Sequence, residues 1–298
     1  MVSGTDHAPQ SRLDGRIGWE PIVDLALAED IGTGDVTTLA IIPTAARADG
    51  AIVAKQMGIV SGLAAAGFVF RRVDPTITFD PRMTDGDWIE EGDVLATVSG
   101  PARSLLTAER VALNLLQRLS GVASITRAYV EEVAGTKARV VDTRKTTPGL
   151  RLLEKAAVRH GGGFNHRFGL ADGVLIKDNH LAALGPPGSD RVTRAVRLAR
   201  EHAPHTLRIE VEVTTLPEVA EAVAAGADVI LLDNMDLDAM REAVALVAGR
   251  ALLEASGGVT VERAKAVAET GVDLISAGAL THSAPALDLS LEFAIGGA

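Results

Sequence analysis

From residue 138 onward the chain repeats one pattern: a short, almost unbroken apolar run that ends in a polar or glycine-rich cluster. The runs are RVVDTRK, GVLIKDN, LRIEVEVTT, VILLDN, ALLEASGG and LISAGA. Their polar ends fall at Asp142, Lys177, Glu212, Asp233, Glu254 and Ser276, at spacings of 35, 35, 21, 21 and 22 residues. Unbroken apolar runs suit strands covered on both faces. A strand, a helix and two short loops take about 20–30 residues, so the spacing predicts successive β/α units. The intervening stretches carry helix punctuation. Thr215-Leu216-Pro217-Glu218 is a capping-box pattern with an early proline, and Thr260 stands where it can cap the next helix. Gly226, Gly249 and Gly271 are placed as C-terminal stops. A helix is expected from Thr147-Pro148 to about His160, where three glycines stop it.

The first part of the chain reads differently. Residues 1–18 are polar and are expected to form a disordered tail. A helical pattern runs from Trp19 to Asp30. Residues 47–99 hold short apolar runs between Gly, Asp and Pro, which read as strands and turns. Within them DGDWIEEGDVLATVSG is similar to the hairpins of biotinyl and lipoyl carrier domains, but no lysine sits in its turn to carry a cofactor. Helical pattern returns from Ser104 to Ala134. The β/α units downstream close into a barrel or form an open doubly wound sheet. In either arrangement ligands bind at the C-terminal strand ends.

Composition narrows the choice of ligand. The chain has no cysteine, which excludes disulfides, thiolate metal sites and a cysteine nucleophile. A net charge of −10 with 3% aromatic residues disfavours nucleic-acid binding. No apolar run reaches the about 18–20 residues of a membrane span, and the N-terminus lacks a signal-type apolar core, so a soluble, cytoplasmic protein is expected. Against this acidic background, residues 138–180 carry eight basic and four acidic side chains. Arg151, Lys155 and Arg159 fit a solvated helix face. Arg144, Lys145 and Lys177 follow or end apolar strands and are candidates for holding a small anion.

Three further features extend that reading. Ser256-Gly257-Gly258 and Ala277-Gly278-Ala279 follow the last two strands, where backbone N–H groups can cradle a phosphate; tight turns are the plain alternative. Glu212 and Asp233 end adjacent strands and suit either Mg²⁺ or ion pairing with nearby lysines. The segment from His160 to Gly169 is a candidate mobile lid, with glycine hinges and His166 and Arg167 as ligand contacts. Lys177 as an imine-forming nucleophile is disfavoured by its anion-binding neighbours.

The runs Asp142–Gly149 (DTRKTTPG), Gly161–Arg167 (GGGFNHR) and Leu175–His180 (LIKDNH) resemble quinolinate phosphoribosyltransferases. Supporting motifs are Thr107-Ala108-Glu109-Arg110, EVEV at 210–213, LLDN at 231–234, EASGG at 254–258 and GALT at 278–281, so the resemblance spans the chain from about residue 19. It implies an N-terminal α/β sandwich (19–113 with about 283–298) and an incomplete, open α/β barrel of TIM-like type (114–282). It also implies transfer of a phosphoribosyl group from phosphoribosyl pyrophosphate to quinolinate, with Mg²⁺, in a homodimer whose subunits share sites. By motif position Arg110 would reach into the neighbour's site. Thr143, Arg144, His166, Arg167 and Lys177 would surround quinolinate. Lys145, Glu212, Asp233, Ser256, Gly257, Gly258, Ala277, Gly278 and Ala279 would take the phosphoribosyl donor. Lys145, Lys177, Glu212 and Asp233 would be catalytic, and Glu212 and Asp233 would hold the metal. A small loop insertion at 185–190 and Phe168, where an aliphatic residue is expected, are the departures, and neither touches a charged site position.

Overall fold

The computed structural model describes residues 18–186 and 190–294. The expected tail at residues 1–18 therefore lies, but for Gly18, outside the described residues, as does the centre of the loop insertion.

The first part of the chain runs α1 (Glu20–Ile31), α2 (Val36–Ile41), β1 (Arg47–Ala54), β2 (Gly58–Ile59), α3 (Leu63–Val73), β3 (Thr78–Pro81), β4 (Trp88–Ile89) and β5 (Val94–Pro101). Then comes α4 (Ala102–Glu132), 31 residues and about 46 Å long at the ordinary helical rise. The β/α part follows: β6 (Arg139–Val141), α5 (Arg151–His160), β7 (Val174–Ile176), α6 (Asp178–Leu184), α7 (Arg191–His202) and β8 (Ile209–Val213). It continues through α8 (Leu216–Ala224), β9 (Val229–Asp233), α9 (Leu237–Val247), β10 (Leu252–Ser256), α10 (Val261–Ala268), β11 (Leu274–Ser276) and α11 (Ala279–His282). Strand β12 (Leu289–Ala294) ends the described chain.

Two main sheets result. The antiparallel one has order β12-β1-β5-β3, and β1 shows the alternating burial of a strand with one covered face. The parallel one has order β6-β11-β10-β9-β8-β7. Its first strand lies beside its last, while β6 and β7, consecutive in the chain, form the two edges, so the barrel is open between them. Curvature is visible in the side chains. Strands β8 and β10 would stand about 9–10 Å apart in a flat sheet. Yet one ligand atom each from Glu210 on β8, Glu254 on β10 and His166 all lie within 4.8 Å of one another. The gap is partly filled by the segment before His166. The Phe164 amide donates to the Val140 carbonyl (2.9 Å), and the Asp142 amide donates to the Phe164 carbonyl (3.1 Å).

The helix stops behave as the pattern predicts. Gly226, Gly249 and Gly271 all take positive φ. Thr215 caps α8 by accepting the Glu218 amide. Thr260 occupies the N-cap of α10 without a side-chain cap bond. Two expectations fail. Helix α5 begins at Arg151 rather than near Thr147, because Thr147 gives its amide (3.0 Å) and its hydroxyl (2.8 Å) to the buried Glu154 carboxylate and stays in the loop. The glycines at 161 and 163 are not hinges. A Cβ at Gly161 would lie 2.4 Å from the Ala123 carbonyl, and one at Gly163 would lie 2.8 Å from Thr126 Cγ2. They let the segment pack onto α4, which together with the Phe164 pairing holds in place what the sequence suggested as a lid.

Helix α4 is the common spine. It packs on α3 and α1 on one side and on α5, α10 and α11 on the other. One continuous apolar cluster joins both parts. Close contact is enforced at Gly121, where an added Cβ would come within 1.9 Å of the Pro285 carbonyl oxygen. Gly121→Ala is expected to cost about 1–3 kcal/mol through forced separation of these segments, measured as a lower urea midpoint at unchanged m-value.

Candidate active site

The C-terminal strand ends gather the polar clusters on one rim. Strand β6 delivers Asp142 and then Thr143, Arg144 and Lys145. Asp142 is fully buried and pairs with Lys155 of α5, itself 3% exposed. Burial pushes Asp142 up and Lys155 down, and each is held against that shift mainly by the other's charge. Lys155 Nζ also donates to the His166 carbonyl (3.2 Å), and Asp142 accepts from the His166 amide (2.9 Å) and Asn165 Nδ2 (2.6 Å). The neighbouring Glu154, fully buried, binds Arg118 (2.8 Å).

The expectation that Arg151, Lys155 and Arg159 form a solvated face thus fails for Lys155, which is buried, while Arg151 is half-buried and Arg159 is exposed as expected. Arg151 donates to the Thr146 hydroxyl (3.0 Å) and the Phe168 carbonyl (3.1 Å). Arg159 lies 4.9 Å from the Phe164 ring centroid and donates to the Gly163 carbonyl (3.0 Å). Helix α5 turns Glu154 and Lys155 inward, where Asp142 and loop backbone groups need partners.

Arg144 and Arg167 approach each other. Burial, followed by the Arg144 charge, lowers the Arg167 pKa. Arg144 Nε is buried with no hydrogen-bond acceptor. Two guanidinium groups whose charges act on each other, one with a buried N–H that meets no acceptor, are complementary to a carboxylate-bearing ligand. His166 is turned into the barrel. Its Nε2 lies 3.0 Å from Glu210 and 3.5 Å from Glu254, and its Nδ1 faces the Arg167 amide at 2.8 Å. Burial opposes charge on His166, but the bonds and charges of the two carboxylates outweigh it and raise its pKa to about 10. Burial also raises Glu210.

Lys177, at the end of β7, pairs with Glu212 Oε2 at 3.0 Å and is 47% exposed. An apolar pocket that would make it an imine nucleophile is absent at this position. Asp233 on the adjacent β9 lies in register with Ser256 of β10 and accepts from Asn234 Nδ2 (2.8 Å). Gly257 takes φ +92°, and a Cβ there would meet Asn234 Oδ1 at 2.2 Å, so the first glycine turn is pressed against the residue after Asp233. A Cβ at Gly278 would meet Lys145 Cδ at 3.0 Å, so the Lys145 stem lies over the second turn, between the buried Ala277 and Ala279 at the start of α11. Thr143 accepts the Lys145 amide (3.0 Å). Arg110 stands apart on α4, 58% exposed, with Glu109 at 4.0 Å as its ion-pair partner. Glu212 thus shows the lysine pairing that was its alternative reading, and Glu212 and Asp233 supply carboxylate oxygens on adjacent strands, the ligand type that Mg²⁺ takes.

Sequence reasoning singled out Glu254 only as a strand end and gave Glu210 no role. The signal was present in the β8 run: in EVEV, Glu210 and Glu212 are two apart and face the same side of the strand. The inward role of Lys155 had no comparable signal.

A barrel whose rim concentrates positive charge and glycine turns belongs with the α/β-barrel enzymes that handle anionic, phosphorylated substrates. Comparison with known proteins makes the class specific. Residues 35–120 match the N-terminal domain of quinolinate phosphoribosyl transferase and residues 122–292 its C-terminal domain. The probable nicotinate-nucleotide pyrophosphorylase [carboxylating] of Bacillus subtilis is 47% identical over 264 residues, 89% of each chain. That of Synechocystis is 45% identical over 291 residues, 97% of each chain. Among solved structures, NadC from Streptococcus pyogenes superposes with TM-score 0.86 at 44% identity, covering 92% of this chain and 96% of that one. The chain belongs to the quinolinate phosphoribosyltransferase family.

The raised His166 pKa fixes a pH dependence. A group whose folded pKa lies above its unfolded value of 6.5 contributes stability that is complete below 6.5 and lost as pH rises through about 10. Urea unfolding between pH 6 and 10.5 is expected to show this loss in the parent protein and a smaller one in Glu254→Gln.

Proposed function

We infer that the chain transfers the phosphoribosyl group of phosphoribosyl pyrophosphate to the ring nitrogen of quinolinate. The products are nicotinate mononucleotide, pyrophosphate and CO₂, a step of de novo NAD biosynthesis. The observation that carries the reading is the Arg144–Arg167 pair with its unanswered buried N–H, a cationic slot for a ligand rich in carboxylate. Quinolinate has two adjacent carboxylates, and each suits a planar guanidinium.

In this mechanism Thr143, Arg144, Arg167 and Lys177 hold the diacid, while His166, braced by Glu210 and Glu254, sets the position of Arg167. The turns Ser256-Gly257-Gly258 and Ala277-Gly278-Ala279 take the 5′-phosphate through backbone N–H groups. Lys145 and Lys177 face the pyrophosphate. Glu212 and Asp233 orient the ribose hydroxyls and would hold Mg²⁺, which when bound neutralises charge on the leaving pyrophosphate. As the C1–pyrophosphate bond breaks, positive charge grows at C1 and negative charge on the leaving group, and the two lysines stabilise the latter. The pyridine nitrogen forms the new bond to C1. Its positive charge then stabilises the carbanion left on the neighbouring carbon as CO₂ leaves, and a proton from solvent forms the C–H bond there, so no organic cofactor is required.

Arg110 completes the slot of a second subunit in a homodimer. Its exposure away from its own rim supports this, as does the apolar face of α1 and α2 carrying Leu25, Val36, Leu39 and Ile41, each more than half exposed. No described helix is long and apolar enough to cross a membrane, in keeping with a cytoplasmic enzyme.

The direct test is incubation with quinolinate, phosphoribosyl pyrophosphate and Mg²⁺, with nicotinate as a parallel acceptor. Nicotinate mononucleotide is expected from quinolinate, and turnover of nicotinate alone overturns the assignment. Arg144→Ala is expected to lose about 2–5 kcal/mol in kcat/KM for quinolinate, because a desolvated carboxylate is left unpaired. Mixing Arg110→Ala with Lys177→Ala protein is expected to restore part of the activity after subunit exchange, and no recovery counts against a shared site.

A further inference from the structure

The adjacent, oppositely charged Glu154 and Lys155 are both buried on α5, and neither belongs to the substrate-facing set. Their hydrogen bonds run in different directions. From Lys155 they run through Asp142 to the backbone on both sides of His166. Asp142 takes the His166 amide, Lys155 takes the His166 carbonyl, and Asn165 Nδ2 ties Asp142 to the Lys155 carbonyl (2.9 Å). This branch holds the segment that carries Arg167. From Glu154 they run through Thr147 and Arg118. Arg118 donates to the carbonyls of Thr281 and Ala284, the latter at 2.9 Å. The buried Thr281 hydroxyl in turn donates to the Lys145 carbonyl (2.8 Å) and lies 3.3 Å from the Gly278 carbonyl. This branch holds Lys145 and the second glycine turn.

We propose that Glu154 and Lys155 are the root of two separate positioning networks, one for each substrate. Asp142, Lys155 and Asn165 position the quinolinate slot, and Glu154, Arg118 and Thr281 position the groups that bind the phosphoribosyl donor. None of these side chains touches substrate; each acts through the backbone of a residue that does. The proposal rests on the substrate assignment above. Its distinctive consequence is separability at the outer ends of the networks, where Asn165 holds the segment of His166 and Arg167 and the Thr281 hydroxyl holds the Lys145 carbonyl beside the second glycine turn.

The experiment uses two mild substitutions in the full-length enzyme. Asn165→Ala removes a half-exposed amide, and Thr281→Val removes a hydroxyl at nearly constant volume. Steady-state kinetics are run with each substrate varied against saturating partner, and melting temperature monitors folding. Asn165→Ala is expected to raise KM for quinolinate about tenfold with KM for phosphoribosyl pyrophosphate within about twofold. Thr281→Val is expected to do the reverse, and Thr281→Ser, which keeps the hydroxyl, is expected to return to the parent values. If Thr281→Val folds poorly, Thr281→Ala carries the same comparison. Equal shifts in both KM values, a fall in kcat alone, or no change overturns the proposal. Arg144→Ala and Lys145→Ala run alongside. If they separate by substrate while Asn165 and Thr281 do not, the networks fall and the substrate assignment stands. If Arg144→Ala leaves quinolinate kinetics intact, the assignment itself falls.

Discussion

Arg144 and Arg167 repel each other, and much of the rim is arranged to hold them together regardless. The compensation lies one layer deeper, in Glu210 and Glu254, which face His166 inside the barrel. Those carboxylates are themselves costly to bury, and their pairing with His166 offsets part of that cost. The result is a slot with an excess of positive charge above a nearly balanced interior. A dianion entering it relieves repulsion as well as forming bonds, so affinity and specificity for adjacent carboxylates have the same origin.

The strand ends were legible in the sequence because parallel strands alternate with helices at fixed cost in chain length. Asp142, Lys177, Glu212, Asp233 and Ser276 emerge at or next to the ends of their strands, whereas Glu254 falls at the middle of β10, two residues short of its end at Ser256. The glycine stops were legible for an equally local reason, the positive φ that the chain needs there. What stayed hidden depends on where a helix lands. Lys155 looks like part of a solvated face until α5 is seen to bring it against the buried Asp142. Gly161 and Gly163 look like hinges until α4 is seen against them. Glycine permits both mobility and close packing, and sequence alone does not separate the two.

Helix α4 explains why the two parts of the chain act as one body. It lies under the antiparallel sheet at one end and beside α5 and α11 at the other. Through Arg118 it also enters the network around Glu154. The residue range where the two family models meet, 120 to 122, falls at Gly121, the point of closest approach to the 285 segment. The seam between the parts is thus a tightly packed contact, which suits a site whose geometry has to be held rather than formed on binding.

Strand β12 pairs with β1 across six register positions after the whole barrel has intervened in the chain. During synthesis β1 therefore has an open edge until more than two hundred further residues have emerged, and such an edge invites mispairing with other chains. The N-terminal layer and the barrel cannot mature as independent units in order of translation. Any cut or fusion that withholds β12 leaves an unsealed sheet, so the natural place to divide this protein for expression in fragments does not coincide with its apparent domain boundary.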